Sequence, residues 1–166
     1  MLETFSSKAL TGNGILGNAW GAVSAVVGED DVRLVLPPPS DRGELGLPAG
    51  GAVRRGRFVI AGVPHFVVEV ADVVGLSIET VAPGLRAHPE FEPEGSNVTF
   101  VGRGADDGVA VRTWERGVEG ETLCCGSGVV AAALLEMASR GSRRLAVRPR
   151  SGDLLVVEAL GEPPTC

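Results

Sequence analysis

The sequence has few cysteines, few aromatic residues and fewer basic than acidic residues. Its three cysteines, two of them adjacent, are too few for a disulfide framework. Fifteen Lys and Arg against 21 Asp and Glu leave a net charge of -6, which argues against nucleic acid as a partner. The cysteines and histidines do not have the spacing of a metal site, so no metal is expected.

The sequence also lacks long apolar runs. Its first ten residues carry Glu3 and Lys8 and do not resemble a signal peptide, so a cytoplasmic location is expected. The stretch 129–135 is apolar on every face of a helix, which is typical of a helix enclosed by other structure. Its seven residues cannot span a bilayer, so no membrane partner is expected.

What the sequence does contain predicts one α+β domain. A hydrophobic content of 44%, an aromatic content of 4% and 24 glycines are typical of a compact, β-rich fold with many turns. Seven or so short strands in mostly hairpin order accompany the apolar helix. We therefore expect a curved, mostly antiparallel sheet wrapped around a central apolar helix.

The expected elements are short. Strands are predicted at 32–36, 57–61, 66–70, 97–101 and 109–114, with a hairpin from 143–149 and 153–159. Residues 43–51 are expected to form a flexible connection, and Pro83 is expected in the first turn of a helix that runs to His88. The central helix is expected to begin at Ser127.

The two ends of the chain are the least determined. Residues 1–31 form an unassigned leading segment in which 2–4 has the composition of a strand. Within it, Thr11-Gly12-Asn13-Gly14 is expected to be a plain Asn-Gly turn. The main domain is expected at 32–160, followed by a polar tail at 161–166.

The chemistry is concentrated at Cys125-Gly126-Ser127-Gly128, where the central helix begins. Glycine lets the backbone approach a ligand and Ser127 is a good N-cap, so free backbone N–H groups would favour an anion here. The same field predicts a lowered pKa for the Cys125 thiol, whose thiolate would then be a usable base. The alternative is a buried cysteine beside an ordinary glycine-rich cap.

Four further residues are candidates for the same site. Glu115 and Arg116 end the preceding strand and add a carboxylate and a guanidinium, and the Arg116 guanidinium would also favour a thiolate on Cys125. His65 stands at the head of one strand and Asn97 opens another. The alternative for His65 is a satisfied structural histidine, and for Asn97 a side chain that only completes a turn.

These residues resemble the C-terminal catalytic signature of the diaminopimelate epimerase family. The resemblance lies in Glu115-Arg116-Gly117, Gly120-Glu121-Thr122 and Cys125-Gly126-Ser127-Gly128 before an alanine-rich helix. Upstream, Gly62-Val63-Pro64-His65 resembles the family's Gly-Asn-Pro-His, and Gly95-Ser96-Asn97-Val98 resembles its Gly-x-Asn-Val. The resemblance covers roughly residues 32 to 160.

The resemblance implies cofactor-independent inversion of LL- to meso-diaminopimelate, a step of lysine and peptidoglycan precursor biosynthesis. The implied catalytic residues are Cys125, Glu115 and His65, and the implied substrate-binding residues are Asn97, Glu115, Arg116, Gly126 and Ser127. Inversion needs a thiolate and a thiol on opposite faces of the α-carbon. Cys125 fills one role, and no other cysteine is suitably placed, since Cys124 approaches from the same side.

Three departures from the family pattern qualify this expectation. Val63 replaces an asparagine whose amide would contact substrate. Between Glu-Arg-Gly and Gly-Glu-Thr this chain has one residue more than the family, Glu119. The family's N-terminal Cys-Gly-Asn-Gly is met only by Thr11-Gly12-Asn13-Gly14, without the cysteine. The chain therefore has motifs for the second of the family's two domains.

The expected partners are a small amino-acid substrate and either a complementary N-terminal half or a second copy of this chain. The isolated chain is expected to be inactive or weakly active, because it offers one placed thiol. Two alternatives stay open: an isomerase of another amino or imino acid, and a non-catalytic anion-binding or structural module. Proton exchange with solvent would separate them.

Overall fold

The computed structural model describes residues 12–18, 21–29, 31–161 and 164, in two compact units that divide after Pro38. The first unit contains an antiparallel sheet of three strands in the order β1-β2-β3. These are β1 (Gly12–Asn18), β2 (Gly21–Val27) and β3 (Val32–Val35). The predicted leading segment, main domain and tail remain predictions, and the positions 2–4 of the expected first strand lie outside the described residues.

The expected Asn-Gly turn is wrong. Asn13 and Gly14 lie within β1, where they pair with Val26 and Ala25 of β2. The pairing continues in register along the whole strand, so the backbone at these two positions is extended. A dipeptide that favours a turn has here been overridden by its strand partner.

The second unit contains an eight-stranded mixed sheet and two helices. Its elements are β4 (Ser40–Ala49), β5 (Ala52–Ala61), β6 (Val63–Glu69), α1 (Ile78–Arg86), β7 (Asn97–Arg103), β8 (Val109–Glu115), β9 (Gly120–Thr122), α2 (Gly126–Arg140), β10 (Arg144–Arg148) and β11 (Leu155–Glu158). A single 3-10 turn at Pro89–Phe91 precedes β7. The strand order is β11-β10-β8-β7-β6-β5-β4, with β9 paired to β8. The β6/β7 and β8/β10 pairs are parallel and the other pairs are antiparallel, so the predicted α+β class is confirmed.

Two predicted boundaries are wrong in this unit. Residues 43–51 do not form a flexible connection, because β4 pairs with β5 along most of that stretch. Helix α1 starts at Ile78, five residues before the expected start at Pro83, which lies inside it. The buried residues Ile78, Val81, Ala82 and Leu85 recur at the spacing of one helical face. Packing of that face outweighs the hydrogen bond that an internal proline removes.

The two helices pack against different faces of the strands β6, β7 and β8. Val98 and Phe100 of β7 join Phe66 of β6 and the buried residues of α1 in one apolar cluster. Side chains alternate along a strand, so Asn97 and Thr99 point to the opposite face. That face meets α2, where Thr99 lies beside Gly128.

Helix α2 is buried along most of its length and positions the predicted site at its first turn. Its buried residues are Gly128, Val129, Ala131, Ala132, Ala133, Leu134 and Met137. The helix ends at Gly141, whose backbone is left-handed (φ 60°) and whose N–H bonds to the Ala138 carbonyl. Its N-cap is Cys125, so the expectation that Ser127 is the N-cap is wrong. Ser127 lies in the first turn, and its hydroxyl bonds elsewhere.

Candidate active site

Three neighbouring strands bring the predicted polar residues to the start of α2. His65 of β6 lies opposite Asn97 of β7 in the parallel register, and Thr99 of β7 lies opposite Thr113 of β8 in the antiparallel register. All four side chains are buried. They form a neutral polar patch on the α2 face, next to Gly128.

His65 is completely buried and has a hydrogen-bond partner on each ring nitrogen. Its Nδ1 lies 2.9 Å from Thr99 Oγ1, and its Nε2 lies 2.8 Å from Ser127 Oγ and 3.3 Å from Asn97 Nδ2. Burial, together with the positive charge of Arg116, lowers the pKa of His65 to about 3. The imidazole is therefore neutral at physiological pH.

Cys125 joins this group through Ser127, whose Oγ lies 3.3 Å from the Cys125 Sγ. Burial raises the pKa of the Cys125 thiol to about 11, and the carboxylate of Glu115 acts in the same direction. The expected lowering of this pKa is therefore wrong. A Ser127 hydroxyl that donates to the sulfur opposes the rise, and so does the Gly128 N–H at the helix start, but loss of hydration outweighs both.

Arg116 reaches the site through its backbone and not through its guanidinium. Its N–H donates to Asn97 Oδ1 at 2.7 Å. Its Nη1 pairs with a carboxylate oxygen of the exposed Glu94 at 3.2 Å. The expectation that Arg116 favours a thiolate on Cys125 therefore finds no support in its contacts.

Glu115 remains close to Cys125 despite the extra residue in the following turn. It pairs with Gly120 across the β8/β9 register and accepts a hydrogen bond from the Thr122 hydroxyl. The extra residue, Glu119, has a left-handed backbone (φ 56°), and its carboxylate accepts from the Gly117 N–H and from Arg86. The turn thus takes up the added residue without separating Glu115 from the helix start.

The first turn of α2 also presents backbone donors. The N–H groups of Gly126 and Ser127 precede the first intrahelical bond, which runs from the Val129 N–H to the Cys125 carbonyl. Gly126 is exposed and Ser127 is half-buried. These donors suit a carboxylate or another anion. Over the described ranges, no group of three or more His, Cys, Asp and Glu side chains could hold a metal ion.

The sequence interpretation missed Thr99 and Thr113. Each is an ordinary strand residue in the sequence, and its partner is distant along the chain: Thr99 and Thr113 are 3.3 Å apart at Oγ1. A cross-strand pair of threonines is a recognised stabilising contact, but finding it requires the strand register. The register of β7 against β8 is the signal that would have identified this pair.

Comparison with solved structures places this fold among those of amino-acid epimerases and racemases. A hydroxyproline epimerase from Agrobacterium vitis, solved with trans-4-hydroxy-L-proline, superposes with a TM-score of 0.64 and 20% identity, over 95% of this chain and 54% of that one. A probable proline racemase from Agrobacterium radiobacter superposes with a TM-score of 0.61 and 20% identity, over 96% and 57% of the two chains. At this identity the likeness establishes the fold alone.

Sequence comparison defines the family. A model of the diaminopimelate epimerase family matches residues 57–159. The diaminopimelate epimerase of Aquifex aeolicus is 39% identical over 155 residues, which are 87% of this chain and 56% of the relative. That of Chlorobaculum tepidum is 41% identical over 134 residues, 80% and 51% of the two chains. This chain belongs to the diaminopimelate epimerase family.

The chain spans about half the length of the curated relatives it matches. The family membership agrees with the resemblance in the signature residues around Cys125. Neither described helix is long and apolar enough to cross a membrane.

Proposed function

We propose that this chain is the C-terminal part of a diaminopimelate epimerase, which converts LL- to meso-diaminopimelate without a cofactor. One observation carries the proposal: Cys125, Ser127, His65 and Asn97 are joined by hydrogen bonds at the first turn of α2. It is supported by the name that curated relatives of this chain share. An isomerase of another amino acid and a non-catalytic module are not favoured by these relatives.

In this reaction a thiolate on one face of the substrate removes the α-proton, and a thiol on the other face returns a proton to the carbanion. Cys125 supplies one of the two sulfurs, and a complementary N-terminal half supplies the other. At the end of one turnover the two sulfurs have exchanged protonation states. The exposed N–H groups of Gly126 and Ser127 would hold the α-carboxylate and stabilise charge that develops during proton removal.

Two charged residues would complete the substrate contacts. Glu115 would accept from the substrate ammonium group beside Cys125, and Thr122 would orient its carboxylate. Arg116 would bind a substrate carboxylate by leaving Glu94, an exposed partner that costs little to replace. A cytoplasmic location and association with a complementary half or a second copy are parts of the same proposal.

The test uses LL-diaminopimelate in deuterated water, with the chain alone and with an added N-terminal half that carries Cys-Gly-Asn-Gly. We expect meso product with deuterium at the inverted carbon only when both halves are present. Cys125→Ala should abolish it, whereas the matched variant Cys124→Ala should retain it, because Cys124 is exposed and outside the hydrogen-bonded group.

Two outcomes would overturn the proposal. Binding of diaminopimelate by the mixed halves without any α-deuterium would indicate a non-catalytic module. Deuterium in a different amino acid, with none in diaminopimelate, would indicate another isomerase and would direct attention to Val63, which replaces the family's asparagine.

A further inference from the structure

The donor and the acceptor of each hydrogen bond around His65 can be assigned by starting from the backbone N–H of Arg116. The Arg116 backbone N–H can only donate, and it lies 2.7 Å from the Asn97 Oδ1. This contact fixes the orientation of the Asn97 amide, because a flipped amide would face the N–H with its own NH₂ group. Asn97 therefore turns Nδ2, a donor, towards His65.

The Asn97 amide in turn selects the tautomer of His65. Its Nδ2 lies 3.3 Å from the His65 Nε2, so Nε2 must be the unprotonated nitrogen, since two N–H groups would otherwise face each other. The ring proton is then on Nδ1, which donates to Thr99 Oγ1 at 2.9 Å. The Thr99 hydroxyl can then donate a hydrogen bond to Thr113 Oγ1, 3.3 Å away.

The tautomer decides what Ser127 can offer to Cys125. A serine hydroxyl has one proton, and the single lone pair of His65 Nε2, 2.8 Å away, accepts it; the Asn97 Nδ2 at 3.3 Å shares that lone pair as the weaker donor. Towards the Cys125 Sγ, 3.3 Å away, Ser127 then presents only a lone pair. A lone pair matches a thiol S–H and repels a thiolate. A hydroxyl that donated to the sulfur would instead lower the thiol pKa, which is the direction in which a Ser127 hydrogen bond acts when the hydroxyl is the donor. The tautomer assigned above removes that donation, so burial and the Glu115 carboxylate keep the pKa raised.

We propose that Asn97 and Ser127 are positioning residues that hold Cys125 as the protonated thiol, because the Asn97 amide fixes His65 in the Nδ1–H tautomer and His65 takes the Ser127 proton. The charged groups that face this set are Glu115, beside the sulfur, and Arg116, beside His65. In the proposed epimerase, on which this role rests, Cys125 would then be the sulfur that gives a proton in the resting state.

The test compares the two histidines of the chain by ¹⁵N NMR of histidine-labelled protein. His88 serves as an internal control, because its Nδ1 accepts from the Glu90 N–H and its neutral form must carry the proton on Nε2. We expect His65 to show the opposite tautomer, and His88→Gln assigns the two sets of signals. A proton on His65 Nε2 in the unmodified chain would overturn the proposal.

Two variants separate positioning from a merely structural role. In Asn97→Asp the group that faces His65 becomes an acceptor, so the His65 proton should move to Nε2 or the ring should become charged; an unchanged tautomer contradicts the proposal. Ser127→Ala is measured in a background in which Cys124 and Cys166 are replaced by serine. It should leave the Cys125 thiol pKa unchanged or lower it.

A rise in that pKa on Ser127→Ala would mean that the hydroxyl donates to sulfur, and it would sink the idea. If Asn97→Asp does not fold, the His65 tautomer in the unmodified chain and the Cys125 thiol pKa in Ser127→Ala still test the proposal. None of these readouts needs substrate, so failure of the proposed epimerase activity and failure of the hydrogen-bond assignment are distinguishable.

Discussion

The two faces of the strands β6, β7 and β8 hold their helices by different means. On one face, Phe66 and Phe100 are fully buried against Ile78 and Leu85 of α1. That contact depends on buried area and shape. It is not directional, so side chains of similar volume are interchangeable there at modest cost.

On the other face, short polar side chains surround the first turn of α2, where His65 bonds to Ser127. His65, Thr99 and Thr113 lie around Gly128, and a Cβ on Gly128 would come within 2.6 Å of Thr113 Oγ1. The hydrogen bonds here are directional, so each needs a donor on one side and an acceptor on the other. The comparison indicates that the polar side chains fix the geometry around Cys125 at the start of α2, whereas the face towards α1 is held by apolar packing.

The largest loss of stability is expected from a substitution on the face of the sheet that packs against α1. Phe100→Ala should lower the free energy of unfolding by about 4 kcal/mol, because it removes a fully buried ring and leaves a cavity. The matched variant Phe100→Leu should cost about 1 kcal/mol. Urea denaturation followed by circular dichroism measures both. Similar losses for the two variants would mean that buried volume is not what holds α1.

The second effect concerns the thiol on the polar face. With a pKa of about 11 and a reference of 9.0, Cys125 should carry about a hundredfold less thiolate at neutral pH than an unburied cysteine, and alkylate correspondingly slowly. Its rate should rise about tenfold per pH unit towards pH 11. Iodoacetamide labelling with mass mapping separates it from the exposed Cys124. Labelling of Cys125 as fast as a free cysteine peptide would contradict its burial.

A third prediction tests the close approach at the start of α2. Gly128→Ala should cost about 2 kcal/mol by overpacking against Thr113 and Thr99. The matched variant Gly126→Ala should be neutral or slightly stabilising, because its Cβ would meet nothing within 4 Å. Adding Thr113→Ala to Gly128→Ala should recover part of the loss, and strictly additive losses would argue against direct contact.

A further effect is a slope in stability with pH. The pKa of His65 falls from 6.5 to about 3 on folding, so between these values the unfolded chain binds more protons than the folded one. The contribution is fully present above pH 6.5 and is lost as the pH falls towards 3, by about 1 kcal/mol per unit.

The slope is isolated by comparing variants between pH 3 and pH 7. His65→Gln should reduce the pH dependence of the unfolding free energy. A slope that survives His65→Gln would show that the carboxylates, and not the buried imidazole, cause the loss of stability in acid.

Local patterns predicted part of the fold correctly. The apolar stretch at 129–135 and the glycines before it predicted the buried helix α2, because these signals lie within one element. The β4 strand and the start of α1 were not predicted. A proline at 83 and several glycines between 43 and 51 favour turns locally, but pairing with β5 and burial of one helical face outweigh them.

The sequence by itself determined which chemistry is present: a cysteine at a helix start, with Glu115, His65 and Asn97 at the ends of strands. Only the tertiary structure decided their states. The rise in the Cys125 pKa, opposite to the expected direction, comes from burial, and burial is a property of the packed chain. The contacts of His65 with Ser127 and with Asn97 likewise join residues 62 and 32 positions apart, through packing of α2 on the sheet and through the strand register, which no local pattern encodes.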